Sequence, residues 1–190
     1  YVGLGHALLI NSFLYGFGVV FLILMSGVVS RSTPKPGNIF MGMWQGFKYS
    51  AATPVAFTLV GLSFAFGFFG AAYIQVLPAF AKEVLRVNAS GAGALISASG
   101  LGSLAGNMWL VSLRDTRRKG VILIGAIILF GCMLFLFSLS PIYILSFILL
   151  FIAGIGFMSF IAMGTTILQL STPAEMRGRM MSQWLIGAAT

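Results

Sequence analysis

The sequence has very little charge. Only 7% of its 190 residues are charged, 59% are hydrophobic, and the mean hydropathy is +1.04. A soluble globular domain carries roughly 25% charged residues, so this chain lacks the polar side chains needed to cover a water-facing surface. We therefore expect an all-α membrane protein, a polytopic helical bundle whose helices satisfy their own backbone hydrogen bonds in lipid.

Residues that bind metals or catalyse reactions are also scarce. The chain has one cysteine, one histidine and three acidic residues. Cys132 lies in an aliphatic stretch and has no second cysteine with which to form a disulfide. The acidic residues and the histidine are too few and too scattered for a zinc or calcium site, and no nucleophile–base pair is recognisable. The sequence thus predicts no metal, no cofactor and no enzymatic activity.

The formal net charge of +8 does not indicate nucleic-acid binding. Nucleic-acid binders collect their cations on one solvated face. Here the cations fall in short gaps between apolar runs, which is how membrane proteins mark their cytoplasmic side. We expect no nucleic-acid partner, and a lipid bilayer instead.

Long apolar runs predict five complete membrane spans and the beginning of a sixth, because a span needs about 20 apolar residues. The chain opens without a methionine and stops inside an apolar run, which favours a fragment of a longer protein. The predicted spans cover residues 5–29, 54–81, 91–113, 121–139 and 141–170, and the sixth begins at 173.

The distribution of cations predicts the orientation. Nine of the eleven lysines and arginines follow spans one, three and five, and only Lys82 and Arg86 lie at the opposite ends. By the positive-inside rule, spans one, three and five end in the cytoplasm of an inner-membrane protein.

Residues 30–50 connect the first two spans and become amphipathic. Phe40, Met43, Trp44 and Phe47 share one face of a predicted helix, while Lys48 points elsewhere. Such a helix is typical of segments that lie flat in the membrane interface. Packing beneath the bundle is the alternative, and the two are compatible.

Several local patterns predict helix starts and helix packing. Proline follows a capping hydroxyl at Pro54, a capping box fits Thr172 and Glu175, and Ser90 is a plausible cap. The GxxxG pair Gly102 and Gly106 predicts close helix approach. Span three is rich in small and polar residues and is expected in the interior. Span four has no strong hydrogen-bonding side chain between Val121 and Phe137 and is expected to face lipid.

Uncharged polar residues at membrane depth are the candidates for a substrate pathway, because polar groups in a bundle need partners or a wet cavity. Hydrogen bonds between helices are the alternative role, and the outer aromatic belt is a further alternative for Tyr73. No charged residue falls inside a span, so a coupling carboxylate is expected elsewhere in the protein. The pathway candidates are Tyr73, Gln75, Asn107, Thr165 and Gln169.

Residues 168–182, LQLSTPAEMRGRMMS, resemble the Q-x-x-x-P-x-E-x-R-G-R-x-M-S signature of one major facilitator branch. That branch includes enterobactin exporters and macrolide-efflux-type permeases. The resemblance implies an incomplete major facilitator fold, with transmembrane helices 6 to 10 and the start of 11. It assigns residues 1–29 to the last helix of the N-terminal half, 30–50 to the linker and 51–190 to the C-terminal half.

The resemblance also implies a function. It predicts export of a small, amphipathic molecule by alternating access, coupled to H⁺, with the missing N-terminal half completing the cavity. A lysophospholipid cargo and a non-transporting scaffold or sensor subunit are the alternatives. A cytoplasmic gate is implied, although the same residues could serve only to mark topology; they are Arg114, Asp115, Arg117, Arg118, Glu175, Arg177 and Arg179.

Overall fold

The computed structural model describes residues 12–13, 15–20, 23–24, 39–70, 72–113 and 118–189. The chain divides into two compact units, Tyr1–Asn38 and Ile39–Thr190. The described residues of the first unit are helical, and their side chains are exposed. Most of predicted span one lies outside the described residues.

The described part of the second unit is built from helices, with no strand among its residues. A π-helical turn, Phe66–Gly70, separates α2 from α3. The all-α fold expected from the composition is therefore confirmed. The helices are α1 (Ile39–Ala52), α2 (Pro54–Ala65), α3 (Ala72–Glu83), α4 (Ala89–Ser112), α5 (Lys119–Leu139), α6 (Tyr143–Ser171) and α7 (Ala174–Ala189).

Four helical stretches are long and apolar enough to cross a membrane. They are Pro54–Glu83, Ala89–Ser112, Lys119–Leu139 and Tyr143–Ser171. These stretches coincide with predicted spans two to five. The sixth predicted span corresponds to α7, which begins one residue after Pro173.

Two of the predicted helix caps are wrong. Asn88, not Ser90, caps α4: its side-chain oxygen accepts a hydrogen bond from the Gly91 amide at 3.0 Å. Ser90 instead donates to the same Asn88 oxygen at 2.7 Å. The hydroxyl of Thr172 is buried without a hydrogen-bond partner in the described part of the chain, so the predicted capping box with Glu175 does not form.

Helix α6 is the central element of the four spans. It packs against both α4 and α5, and Leu150, Ala153 and Phe160 on it are fully buried. Helix α5 is the least buried of the four, in agreement with its predicted lipid-facing position. Helix α4 was expected in the interior, but only one of its faces is buried, the face that carries Leu95, Gly102 and Gly106, and Leu104 on the other side is 62% exposed.

Glycines allow α4 and α6 to approach closely. A Cβ on Gly102 would overlap the carbonyl oxygen of Phe151, and a Cβ on Gly106 would lie 2.9 Å from the carbonyl oxygen of Ile155. From the other side, a Cβ on Gly154 would overlap the carbonyl oxygen of Ser99. Such small-residue contacts let van der Waals packing hold two helices together in lipid, where the hydrophobic effect between helices is absent.

A large buried side chain, Trp184, packs α7 against α6. Trp184 is fully buried, and its ring lies 5.4 Å from that of Phe160 on α6. Gly164 leaves the space that the indole occupies, since a Cβ there would overlap the ring. On its other side α7 packs against α2, where Gly187 lies against Ser63.

Candidate transport pathway

Tyr73 is joined to the neighbouring span by a hydrogen bond. Its hydroxyl lies 2.8 Å from the hydroxyl of Ser99 on α4, and either oxygen can donate. The tyrosine ring meets the ring of Phe130 edge-on, with centroids 5.7 Å apart. Tyr73 stands in the first turn of α3, just beyond the π-helical turn. The observed contact therefore corresponds to helix–helix hydrogen bonding, one of the three roles that the sequence left open for Tyr73.

Two serines of α4 extend this contact toward α6. Ser103 donates to the carbonyl oxygen of Ser99 at 3.0 Å and to the carbonyl oxygen of Gly154 at 3.3 Å. The hydroxyls of Tyr73, Ser99 and Ser103 thus link α3, α4 and α6. Sequence reasoning did not single out Ser99 as the partner of Tyr73; the only signal was the excess of small and polar residues on span three.

The other amide and hydroxyl candidates do not converge on one point. Gln75 on α3 is exposed, Asn107 on α4 and Thr165 on α6 are half-buried, and Gln169 is exposed. No hydrogen bond among the described residues joins any two of these four side chains. Only Tyr73, of the five candidates, has an inter-helix partner there.

The helix bounds explain why these candidates are spread apart. At 1.5 Å per residue, Gln75 lies about 12 Å from the end of α3 and Asn107 about 27 Å from the start of α4. A short connection, residues 84–88, joins α3 to α4 at that end. Gln75 and Asn107 therefore differ by about 15 Å in depth, and together they would line the length of a channel rather than one binding pocket.

The gate candidates that the structure describes fall at the opposite end of the spans. Arg114, Asp115 and Arg117 lie outside the described residues. Arg118 is exposed at the start of α5.

The gate candidates of the signature stand on the first turns of α7. Glu175, Arg177 and Arg179 are all exposed there. Glu175 lies in the first turn, where a carboxylate interacts favourably with the positive end of the helix dipole. One guanidinium nitrogen of Arg179 lies 3.5 Å from the sulfur of Met176.

The described surface has an apolar cavity and a more open one, and neither is lined by a pathway candidate. An apolar one of about 250 Å³ lies between the π-helical turn and α5, with Phe66, Phe69 and Phe130 in its wall. An open one of about 640 Å³ lies at the connection between α3 and α4, lined by Arg86 and Tyr143 among others.

Comparison with known protein families decides the class. The family model described as "Transmembrane secretion effector", a major facilitator type, matches residues 1–189. This chain belongs to the transmembrane secretion effector family. Its membrane location and its relationship to transporters follow from that membership and from the four apolar spans. The comparisons with curated proteins and with solved structures returned no match.

Membership in the transmembrane secretion effector family accounts for the resemblance carried by residues 168–182. It confirms the major facilitator relationship. The narrower placement beside enterobactin exporters, and the numbering of the spans as helices 6 to 11, stay predictions.

Proposed function

We propose that this protein exports a small, amphipathic molecule across the inner membrane by alternating access, driven by a proton gradient. The observation that carries the proposal is the family match over residues 1–189. Four membrane-length helices packed through glycines support it, since they form the framework on which such transporters build a central path.

The polar side chains favour an amphipathic, uncharged cargo. Gln75 is exposed and Asn107 is half-buried, and each lies well inside a membrane span. An amide facing lipid costs free energy because it loses its hydrogen bonds to water. A wet pathway relieves that cost at both positions. Neutral amides would offer hydrogen bonds to a cargo whose remaining surface is apolar.

The rest of the pathway is assigned to the N-terminal half of the same protein. We propose that residues 51–190 belong to the C-terminal half, that residues 1–29 end the N-terminal half, and that residues 30–50 link the two. In this arrangement the cargo binds near the midplane between the halves. The basic residues that follow spans three and five then form and break contacts at the cytoplasmic gate as the halves rock.

Alanine substitutions in the full-length protein test the proposal. Gln75→Ala and Asn107→Ala should each lower the export rate by about tenfold, the effect of losing roughly 1.4 kcal/mol of hydrogen bonding to the cargo. Membrane abundance should stay at the wild-type level. The assay is the transport of a panel of fluorescent amphipathic dyes, measured as efflux from energised cells or as uptake into energised inverted vesicles.

The matched control is Ser138→Ala. Ser138 is an exposed residue whose hydroxyl donates only to the carbonyl oxygen of Phe135 in its own helix. It should leave export unchanged. Wild-type export by both amide variants, at equal abundance, would remove Gln75 and Asn107 from the pathway. Wild-type protein that moves no dye and dissipates no proton gradient would contradict the export proposal itself.

A further inference from the structure

One face of α1 is covered by α7. Gly46 and Ser50 on α1 are buried. A Cβ on Gly46 would lie 3.0 Å from the amide nitrogen of Gln183 and 3.4 Å from the Cβ of Arg179, both on α7. The glycine therefore lets the two helices touch, and it fixes which side of α1 faces the bundle.

The opposite face of α1 carries two large aromatic side chains and a cation. Trp44 is 68% exposed and Phe47 is 59% exposed. Their rings stack with centroids 6.1 Å apart. Lys48, one turn after Trp44, is also exposed, and its i, i+4 spacing puts it on the face of Trp44 rather than elsewhere as the sequence pattern predicted. We name Trp44, Phe47 and Lys48 the outer face of α1.

The charge around the outer face is positive. Lys48 is the only charged residue of α1, and α7 adds Arg177 and Arg179 against the single carboxylate of Glu175. Three cations against one anion leave two net positive charges on these two helices. Arg179 stands at the border where α7 meets α1.

We propose that the outer face of α1 binds an anionic phospholipid at the basic end of the bundle. The Lys48 ammonium donates hydrogen bonds to the lipid phosphate. The stacked rings of Trp44 and Phe47 lie beside the glycerol and the upper acyl chains, the depth that tryptophan prefers. Arg179 strengthens the attraction from the neighbouring helix. This site is separate from cargo export and does not rest on it.

Charge complementarity distinguishes this occupant from a protein partner. A tryptophan beside a lysine at the end of membrane spans matches the arrangement of an anionic headgroup above apolar chains. Each lysine or arginine near an anionic membrane surface contributes about 1 kcal/mol of attraction. Lys48 alone should therefore enrich anionic over zwitterionic lipid at this face by about fivefold.

Fluorescence quenching in nanodiscs tests the site in the full-length protein. The probe lipids are brominated phosphatidylglycerol and brominated phosphatidylcholine, each titrated separately into nanodiscs of the same lipid background. The quenching that Trp44 contributes is the difference between wild type and Trp44→Phe. Brominated phosphatidylglycerol should quench it at about one-fifth of the concentration that brominated phosphatidylcholine needs, following the fivefold enrichment. Lys48→Gln should lower that selectivity by about fivefold while quenching by both lipids persists.

The control is Lys82→Gln, which removes an exposed cation near the end of α3 and should leave the selectivity unchanged. Equal quenching by the two lipids in wild type would overturn the proposal, because the face would then select no headgroup. No quenching of Trp44 by either lipid would also overturn it, since another protein segment would then cover the face. Neither readout depends on whether any cargo is exported.

Discussion

The contact between Gly102 and the backbone of α6 should make the Gly102→Ala substitution strongly destabilising. The new Cβ would overlap the carbonyl oxygen of Phe151 and lie 2.8 Å from the carbonyl carbon. Carbon atoms pack at about 3.5 to 4.0 Å, so α4 and α6 must move apart by about 1 Å or more. A backbone carbonyl cannot rotate away as the end of a flexible side chain could. The substitution therefore disturbs the whole contact between α4 and α6.

The magnitude follows from two opposing effects. Forcing an extra carbon into a packed interior costs about 1 to 3 kcal/mol, and a backbone obstacle favours the upper end of that range. Alanine is favoured over glycine in a helix by about 1 kcal/mol. The net loss is about 2 kcal/mol, which lowers the ratio of folded to unfolded protein by roughly 30-fold.

Gly100→Ala is the matched control for this prediction. Gly100 lies on the same helix, two residues away, and a Cβ there would meet nothing within 4 Å. We expect Gly100→Ala to retain or slightly raise the stability. The measurement is the free energy of unfolding of the full-length protein in detergent micelles, followed by near-ultraviolet circular dichroism. Equal stability of Gly102→Ala and Gly100→Ala would refute the reasoning.

Two further pairs can be tested in the same assay. Tyr73→Phe removes the 2.8 Å hydrogen bond to Ser99 and should lower the free energy of unfolding by about 0.6 to 1 kcal/mol. Adding Ser99→Ala to this variant should lower it little further. Additive losses would show that the two hydroxyls do not interact. Gly164→Ala should cost about 1 to 3 kcal/mol because its Cβ meets the buried Trp184 ring. The double variant with Trp184→Phe should lose less than the sum of the two single losses, and strict additivity would contradict the contact.

The membrane spans could be predicted from sequence because apolar length and proline decide them locally. Residues 54–81 were expected as a span, and the structure has one at Pro54–Glu83. The proline takes the first helical position, where its missing amide hydrogen costs nothing. Residues 121–139 were expected to form a peripheral span, and Lys119–Leu139 is the least buried of the four.

Tertiary partners could not be predicted in the same way. Helix α6 is apolar on every side, so its sequence does not reveal that it would be central. The site depends on such partners: Tyr73 was compatible with a pathway, an aromatic belt or a helix contact, and only the fold brings it to Ser99, 26 residues away. The π-helical turn at Phe66–Gly70 was also not predicted, since its phenylalanines and glycines fit an α-helical run equally well.

The cap of α4 shows how a local prediction can fail. Ser90 and Asn88 are both good capping residues. The backbone of Asn88 is extended, with φ −77° and ψ 177°, and this conformation places its side chain over the first amides of the helix. Which of two neighbouring caps is used depends on the backbone conformation in which the preceding connection enters the helix.

Two glycines on α6 have a mechanical consequence. Gly154 lies against Ser99 of α4, while Gly156, two residues on, lies against the backbone of Ala126 and Phe130 of α5. Helices α4, α5 and α6 are thus in backbone contact at one depth in the bundle, the level of Gly154 and Gly156. Because neither neighbour can move closer there, tilting of α4 or α5 against α6 must pivot about this level. When the helices separate slightly at one end of the bundle, they then approach each other at the other end.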